Sequence, residues 1–100
     1  MRKNNAPEAK VENALAKMIH DRGGLCYKFI SPDNPGVPDR LRILPDGKII
    51  FIELKAEFGR MQNIQKWQHD RMLKCRADVR TIRGMEQAKA LIKELFPHQN

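Results

Sequence analysis

Pro38-Asp39-Arg40-Leu41-Arg42-Ile43-Leu44-Pro45-Asp46-Gly47-Lys48-Ile49-Ile50-Phe51-Ile52-Glu53-Leu54-Lys55 is the stretch whose reading decides the fold. Two strand-like runs, Arg40 to Leu44 and Lys48 to Leu54, flank Pro45-Asp46-Gly47, and turn residues between such runs predict a hairpin. The loop length matters, because a one-residue slip in register moves a side chain to the other face of the sheet. A two-residue turn at Asp46-Gly47 sets Arg40 opposite Glu53, whereas a three-residue loop sets Asp39 there. The longer loop takes a type I turn followed by a left-handed residue, and proline, aspartate and glycine suit those places in order. The three-residue register is therefore expected. Ile49-Ile50-Phe51-Ile52 is apolar throughout, which predicts a central strand buried on both faces.

Working outward, Pro7 suits a first helical turn and Glu8 favours its positive end. Val11, Leu15, Met18 and Ile19 recur at helical spacing to about Asp21, and Gly23-Gly24 stops the helix. Leu25 to Ile30 reads as a strand. Ser31 to Pro38, with three prolines and a glycine, reads as a loop. Beyond the hairpin, Gln62 to Cys75 is a second helix, Asp78 to Ile82 a short strand and Met85 to Phe96 a last helix. Residues 1–6 and the last four are expected to fray. The predicted order is α-β-β-β-α-β-α, a mixed sheet with helices against it and no linker to divide it.

With 100 residues the chain forms one domain. An apolar share of 41% with 31% charged residues marks a globular protein. Nineteen Lys and Arg against twelve Asp and Glu leave a formal charge of +7, which favours a polyanionic partner. No apolar run approaches a membrane span, and the first residues lack the apolar core of a signal peptide. Cys26 and Cys75 read as reduced core residues of a cytosolic protein, and His20, His69 and His98 lack zinc-ligand spacing.

Asp39 opposite Glu53 brings two carboxylates together, and Lys55, two residues on, shares Glu53's face while Leu54 packs on the other. Paired carboxylates hold a hard divalent cation through oxygen, and the Leu54 carbonyl can join them. A neighbouring ammonium orients a water or steadies charge growing on a phosphate. The set suits metal-dependent hydrolysis of a phosphodiester. On the second helix, Met61, Ile64, Met72 and Cys75 form an apolar stripe with Gln65 and Gln68 inside it. Buried amides need partners, so Gln65 is either a core glutamine bonded to backbone or a site residue bonded near Lys55, to a water or to a phosphate. Trp67, at the stripe's edge, is expected to pack in the core. Arg40, Arg42, Arg60, Lys66 and Arg71 read singly as solvated charges and together as a track for phosphates.

Gly36-Val37-Pro38-Asp39, Glu53-Leu54-Lys55, and Gly59 with Gln65 six residues later resemble the VRR-NUC nucleases of the PD-(D/E)xK superfamily, from about Glu8 to Ile82. The resemblance implies an α/β fold with a restriction-endonuclease-like αβββαβ core, here followed by a C-terminal helix, in one nuclease domain over 1–100 with its core at about 7–96. It looks like the minimal stand-alone form of phages and bacteria. It implies catalysis by Asp39, Glu53, Lys55, Gln65 and a helix glutamate, with Mg²⁺ or Mn²⁺ held by Asp39, Glu53, the Leu54 carbonyl and that glutamate. Glu8 is favoured for this place and Glu12 kept as the alternative. Arg76 stands where the family often has glycine. Lys28, Ser31, Arg40, Arg60 and Lys66 are expected to touch nucleic acid. The implied activity is structure-selective cutting of branched DNA such as Holliday junctions, by a homodimer in the cytoplasm of a bacterial or phage-infected cell, with no membrane partner. The rival reading is a non-catalytic nucleic-acid-binding module, or a subunit of a phage replication or repair complex.

Overall fold

The computed structural model describes residues 7–98, so the fraying expected of residues 1–6 and 99–100 lies outside it, and Pro97 and His98 form a turn. The seven elements appear in the expected order: α1 (Pro7–Asp21), β1 (Leu25–Lys28), β2 (Arg40–Ile43), β3 (Ile49–Lys55), α2 (Asn63–Lys74), β4 (Asp78–Arg83) and α3 (Gly84–Leu95). The sheet runs β1-β2-β3-β4. Its first three strands are antiparallel, and β4 returns parallel to β3 through α2.

The side-chain alternation of β3 sorts the layers. Ile50, Ile52 and Leu54 face α1 and α3, where they meet Leu15, Ile19, Leu91 and Ile92 in a single core. Glu53 and Lys55 face α2. Arg40↔Ile52 through Ile43↔Ile49 is the three-residue-loop register. The Leu44 amide donates to the Lys48 carbonyl at 2.8 Å, and Gly47 takes the left-handed place at φ 92°. One step past Arg40, Asp39 falls opposite Glu53.

The sequence reading needs correction where α2 meets the sheet. β3 is central, yet Ile49 is exposed and Phe51 only half-buried, because one short helix covers that face. The expected stripe of Met61, Ile64, Met72 and Cys75 is not the buried side of α2. Ile64 and Cys75 are exposed, and the buried residues are Gln68 and His69. The cause lies on β3: Glu53 points at α2, and a half-buried carboxylate needs donors, so the helix turns polar residues inward. Trp67 is exposed rather than in the core, with the Arg71 guanidinium 4.6 Å from its ring centre. Cys26 is half-buried and Cys75 exposed, both as free thiols. β1 ends at Lys28, two residues early, although the Phe29 amide still donates to the Asp39 carbonyl at 2.9 Å.

The loop before Asp39 is fixed from below. Gly36 has φ 93°, and a Cβ there would lie 2.6 Å from the Ile64 carbonyl oxygen, so only glycine lets the loop lie against α2. Gln68 Nε2 donates to the Pro35 carbonyl at 3.3 Å. Pro38 is fully buried and anchors the approach to Asp39.

Candidate active site

β3 outlasts β2. The last ladder pair between them is Arg40↔Ile52, whereas β3 remains paired with β4 through Lys55↔Arg83. Glu53, Leu54 and Lys55 therefore border a gap where β2 has ended, and α1 supplies the opposite wall. The result is a cleft of about 480 Å³ lined by Glu8, Glu12, Asp39, Arg40, Glu53, Leu54 and Lys55. In a chain of formal charge +7, it gathers four carboxylates.

Glu53 is the most constrained of them. Gln65 Nε2 donates to its Oε2 at 3.1 Å, Lys55 Nζ lies 3.8 Å from the same oxygen, and His69 Nε2 lies 3.8 Å from Oε1. Burial raises the Glu53 pKa above the usual carboxylate range; Lys55 opposes that shift, while Asp39 and Glu8 add to it. Those two acids thus place negative potential at Glu53. Gln65 also accepts from the Gln62 amide at 2.9 Å, so a single side chain caps α2 and fixes Glu53. Gln65 thus bonds backbone, at Gln62, and also the strand end beside Lys55, through the Glu53 carboxylate.

Glu12 is occupied. It accepts from Arg42 Nη2 at 2.6 Å and lies 3.1 Å from Arg40 Nε. Arg42 is 1% exposed, so these two arginines are counter-ions of Glu12, not the solvated charges expected. Glu8 shares the cleft and is exposed. Asp39 is exposed too, with Arg40 Nη1 3.5 Å from its Oδ1.

Hard oxygen donors in one negative cleft fit a divalent cation by chemical type. Among the described residues no three such side chains are drawn into a closed ligand cluster, in keeping with mutual repulsion of the carboxylates and the turn of Asp39 toward Arg40. The other expected residues lie elsewhere. Lys28 is exposed at the end of β1, Ser31 Oγ accepts from Asn34 within its loop, and Arg60 and Lys66 line a separate pocket with Arg83. His69 escaped the sequence reading. It is buried behind Glu53, its Nε2 makes no hydrogen bond, and burial lowers its pKa. Its spacing of one helical turn from Gln65 was the available signal.

No family model matches the chain. The chain is 45% identical over 65 residues to “Putative nuclease p44” of Acyrthosiphon pisum secondary endosymbiont phage 1, covering 65% of this chain and 70% of that relative. Its fold is similar to a solved structure described as a VRR_NUC domain, with a TM-score of 0.82 and 32% identity over 87% of this chain and 95% of that one.

Proposed function

The chain belongs to the VRR-NUC family of nucleases, and on that footing we propose that it is a Mg²⁺- or Mn²⁺-dependent endonuclease that selects branched DNA such as four-way junctions. The observation that carries the reading is the end of β3. Glu53 and Lys55 share one face beyond the last pair with β2, Arg40↔Ile52, whose register continued by one residue sets Asp39 opposite Glu53, and Glu8 lines the same cleft.

Asp39, Glu53, Glu8 and the Leu54 carbonyl are the residues that would hold the cation, with Glu12 committed to its arginines. A divalent cation supplies Lewis acidity at a phosphate and makes a water more acidic. Gln65 keeps Glu53 in place at 3.1 Å, so the carboxylate is positioned before substrate arrives. Lys55, only 15% exposed, sets a desolvated ammonium beside that carboxylate. There it orients the attacking water and offsets the negative charge that grows on the phosphoryl oxygens. The surplus of lysine and arginine supplies sequence-independent grip on the backbone, with Lys28, Ser31, Arg60 and Lys66 as its contacts, while Arg40 is held by Glu12.

A second copy of the chain completes the reading. Symmetric cutting of a four-way junction calls for two active sites related by a two-fold axis. The register places Leu25, Ile43 and Ile49 in one cross-strand row and Tyr27, Leu41 and Phe51 in the next, with Leu25, Tyr27 and Ile49 about half exposed. These rows carry no charged side chain, and two bodies of charge +7 repel least where they meet through such a surface.

The test is a panel of labelled four-way junction, flap, splayed-arm and linear duplex DNA with Mg²⁺ or Mn²⁺, beside Lys55→Ala. Cutting of one branched form that the variant loses is the expected result. Binding without cutting under both metals contradicts the nuclease chemistry, and equal cutting of linear duplex contradicts the selectivity.

A further inference from the structure

Phe58 is the most exposed large apolar side chain among the described residues, at 89%. It is held outward by its turn. The Gly59 amide donates to the Ala56 carbonyl at 2.9 Å, which puts Glu57 and Phe58 at the tip. Arg83 Nη1 donates to the Gly59 carbonyl and lies 3.5 Å from that of Ala56. Arg83 is itself the sheet partner of Lys55, so the tip is tied to the strand end that carries the candidate active site. An apolar ring in water at a pinned position adds nothing to the core, and the ordering of its turn favours a partner that meets it there.

The next residues identify that partner. Gly59, Arg60, Lys66 and Arg83 line a pocket of about 440 Å³ that contains no carboxylate. Other sheet arginines are neutralised: Arg40 and Arg42 by Glu12, and Arg80 by Asp78 and Glu94. Concave, uncompensated cations take a phosphate, and an exposed ring takes the face of a base. In continuous duplex both faces of every base are covered by neighbours. Only a strand with unpaired bases offers a phosphate and a bare base face together.

We propose that Phe58 stacks on an unpaired base of the substrate strand while Arg60, Lys66 and Arg83 hold a phosphate of that strand. The proposal rests on the nuclease reading of the adjoining cleft and gives it a physical basis for preferring branches with unpaired bases, such as flaps and splayed arms, over continuous duplex.

The experiment reads binding, not cutting. Lys55→Ala protein is titrated into flap and splayed-arm DNA carrying 2-aminopurine at the unpaired positions next to the branch, and into linear duplex. The expected result is fluorescence quenching that is lost in Phe58→Ala and kept in Phe58→Trp. Affinity for the splayed arm then falls about tenfold in Phe58→Ala, with affinity for duplex and the salt dependence unchanged. Arg60→Ala and Lys66→Ala each lower the slope of log affinity against log salt by about 1 on both DNAs. Quenching that survives in Phe58→Ala, equal loss of affinity for both DNAs, or a change in oligomeric state instead overturns the proposal. Circular dichroism confirms that each variant is folded. A wild-type protein that quenches through Phe58 yet never cuts sinks the nuclease reading and leaves this one standing.

Discussion

Glu8 and Glu12 lie one helical turn apart and do different work. Glu12 compensates Arg42, which is only 1% exposed, and removal of one partner strands a charge in low dielectric. Glu12→Ala is therefore expected to cost about 3 kcal/mol or more in denaturant titration. Glu8→Ala, at an exposed site, should change stability by no more than about 0.5 kcal/mol and yet abolish cutting. Normal cutting by the Glu8 variant, or an unaltered melt for the Glu12 variant, would reverse these assignments. Glu53 carries a pH signature. Its folded pKa is raised, chiefly by burial, so the folded chain retains a proton that the unfolded chain has released. Stability from this group thus falls as pH rises from the ordinary carboxylate range through the raised value, and the penalty persists at neutral pH. Without divalent cations, Glu53→Gln should melt above wild type at neutral pH, with the gain vanishing in acid below the ordinary range. Added Mg²⁺ should then raise the wild-type midpoint and leave the variant unmoved.

At the scale of elements, the hairpin shows what a sequence can reveal. Pro45-Asp46-Gly47 set its own loop length, and the register it fixes runs to Arg40↔Ile52, one step short of setting Asp39 opposite Glu53. The turn after α2 is a second case. Arg76, where the family often has glycine, sits at φ 65°, a conformation costing a side chain about 1–2 kcal/mol. Glycine recovers that and loses about 0.5–1 kcal/mol through its freer unfolded chain, so Arg76→Gly should stabilise by about 0.5 kcal/mol, readable as a shifted urea midpoint; a lower midpoint would show that Arg76 makes a compensating contact. What escaped the sequence is the buried side of α2. Helical periodicity rewards apolar residues, and Ile64 and Met72 drew the stripe toward themselves. Which side a helix buries depends on what the sheet offers it, and here the sheet offers Glu53. Gln65 and Gln68 answer a carboxylate and a loop carbonyl that lie far away in sequence. The pairing of Arg40 and Arg42 with Glu12 was hidden for the same reason: 28 and 30 residues separate them, and only the packing of α1 across the sheet brings them together.

At the scale of the whole molecule, the negative cleft on a strongly basic body and the uncharged rows across β1, β2 and β3 divide the surface by task. Aspartate at both Tyr27 and Ile49 should turn the proposed dimer into a monomer by light scattering and convert paired cutting of a four-way junction into single nicks. A wild-type monomer would dismiss that interface. Among the described residues no helix is long and apolar enough to cross a membrane. The central claim, that Asp39, Glu53 and Lys55 cut phosphodiesters with a divalent cation, is tested most directly by single-turnover cleavage of one branched DNA. Wild type and Glu53→Gln are compared in chelator and then with Mg²⁺ or Mn²⁺ restored, at protein concentrations where both bind the DNA. Cleavage by wild type alone, and only with the metal restored, is the predicted result; undiminished cleavage in chelator, or by Glu53→Gln, would contradict it.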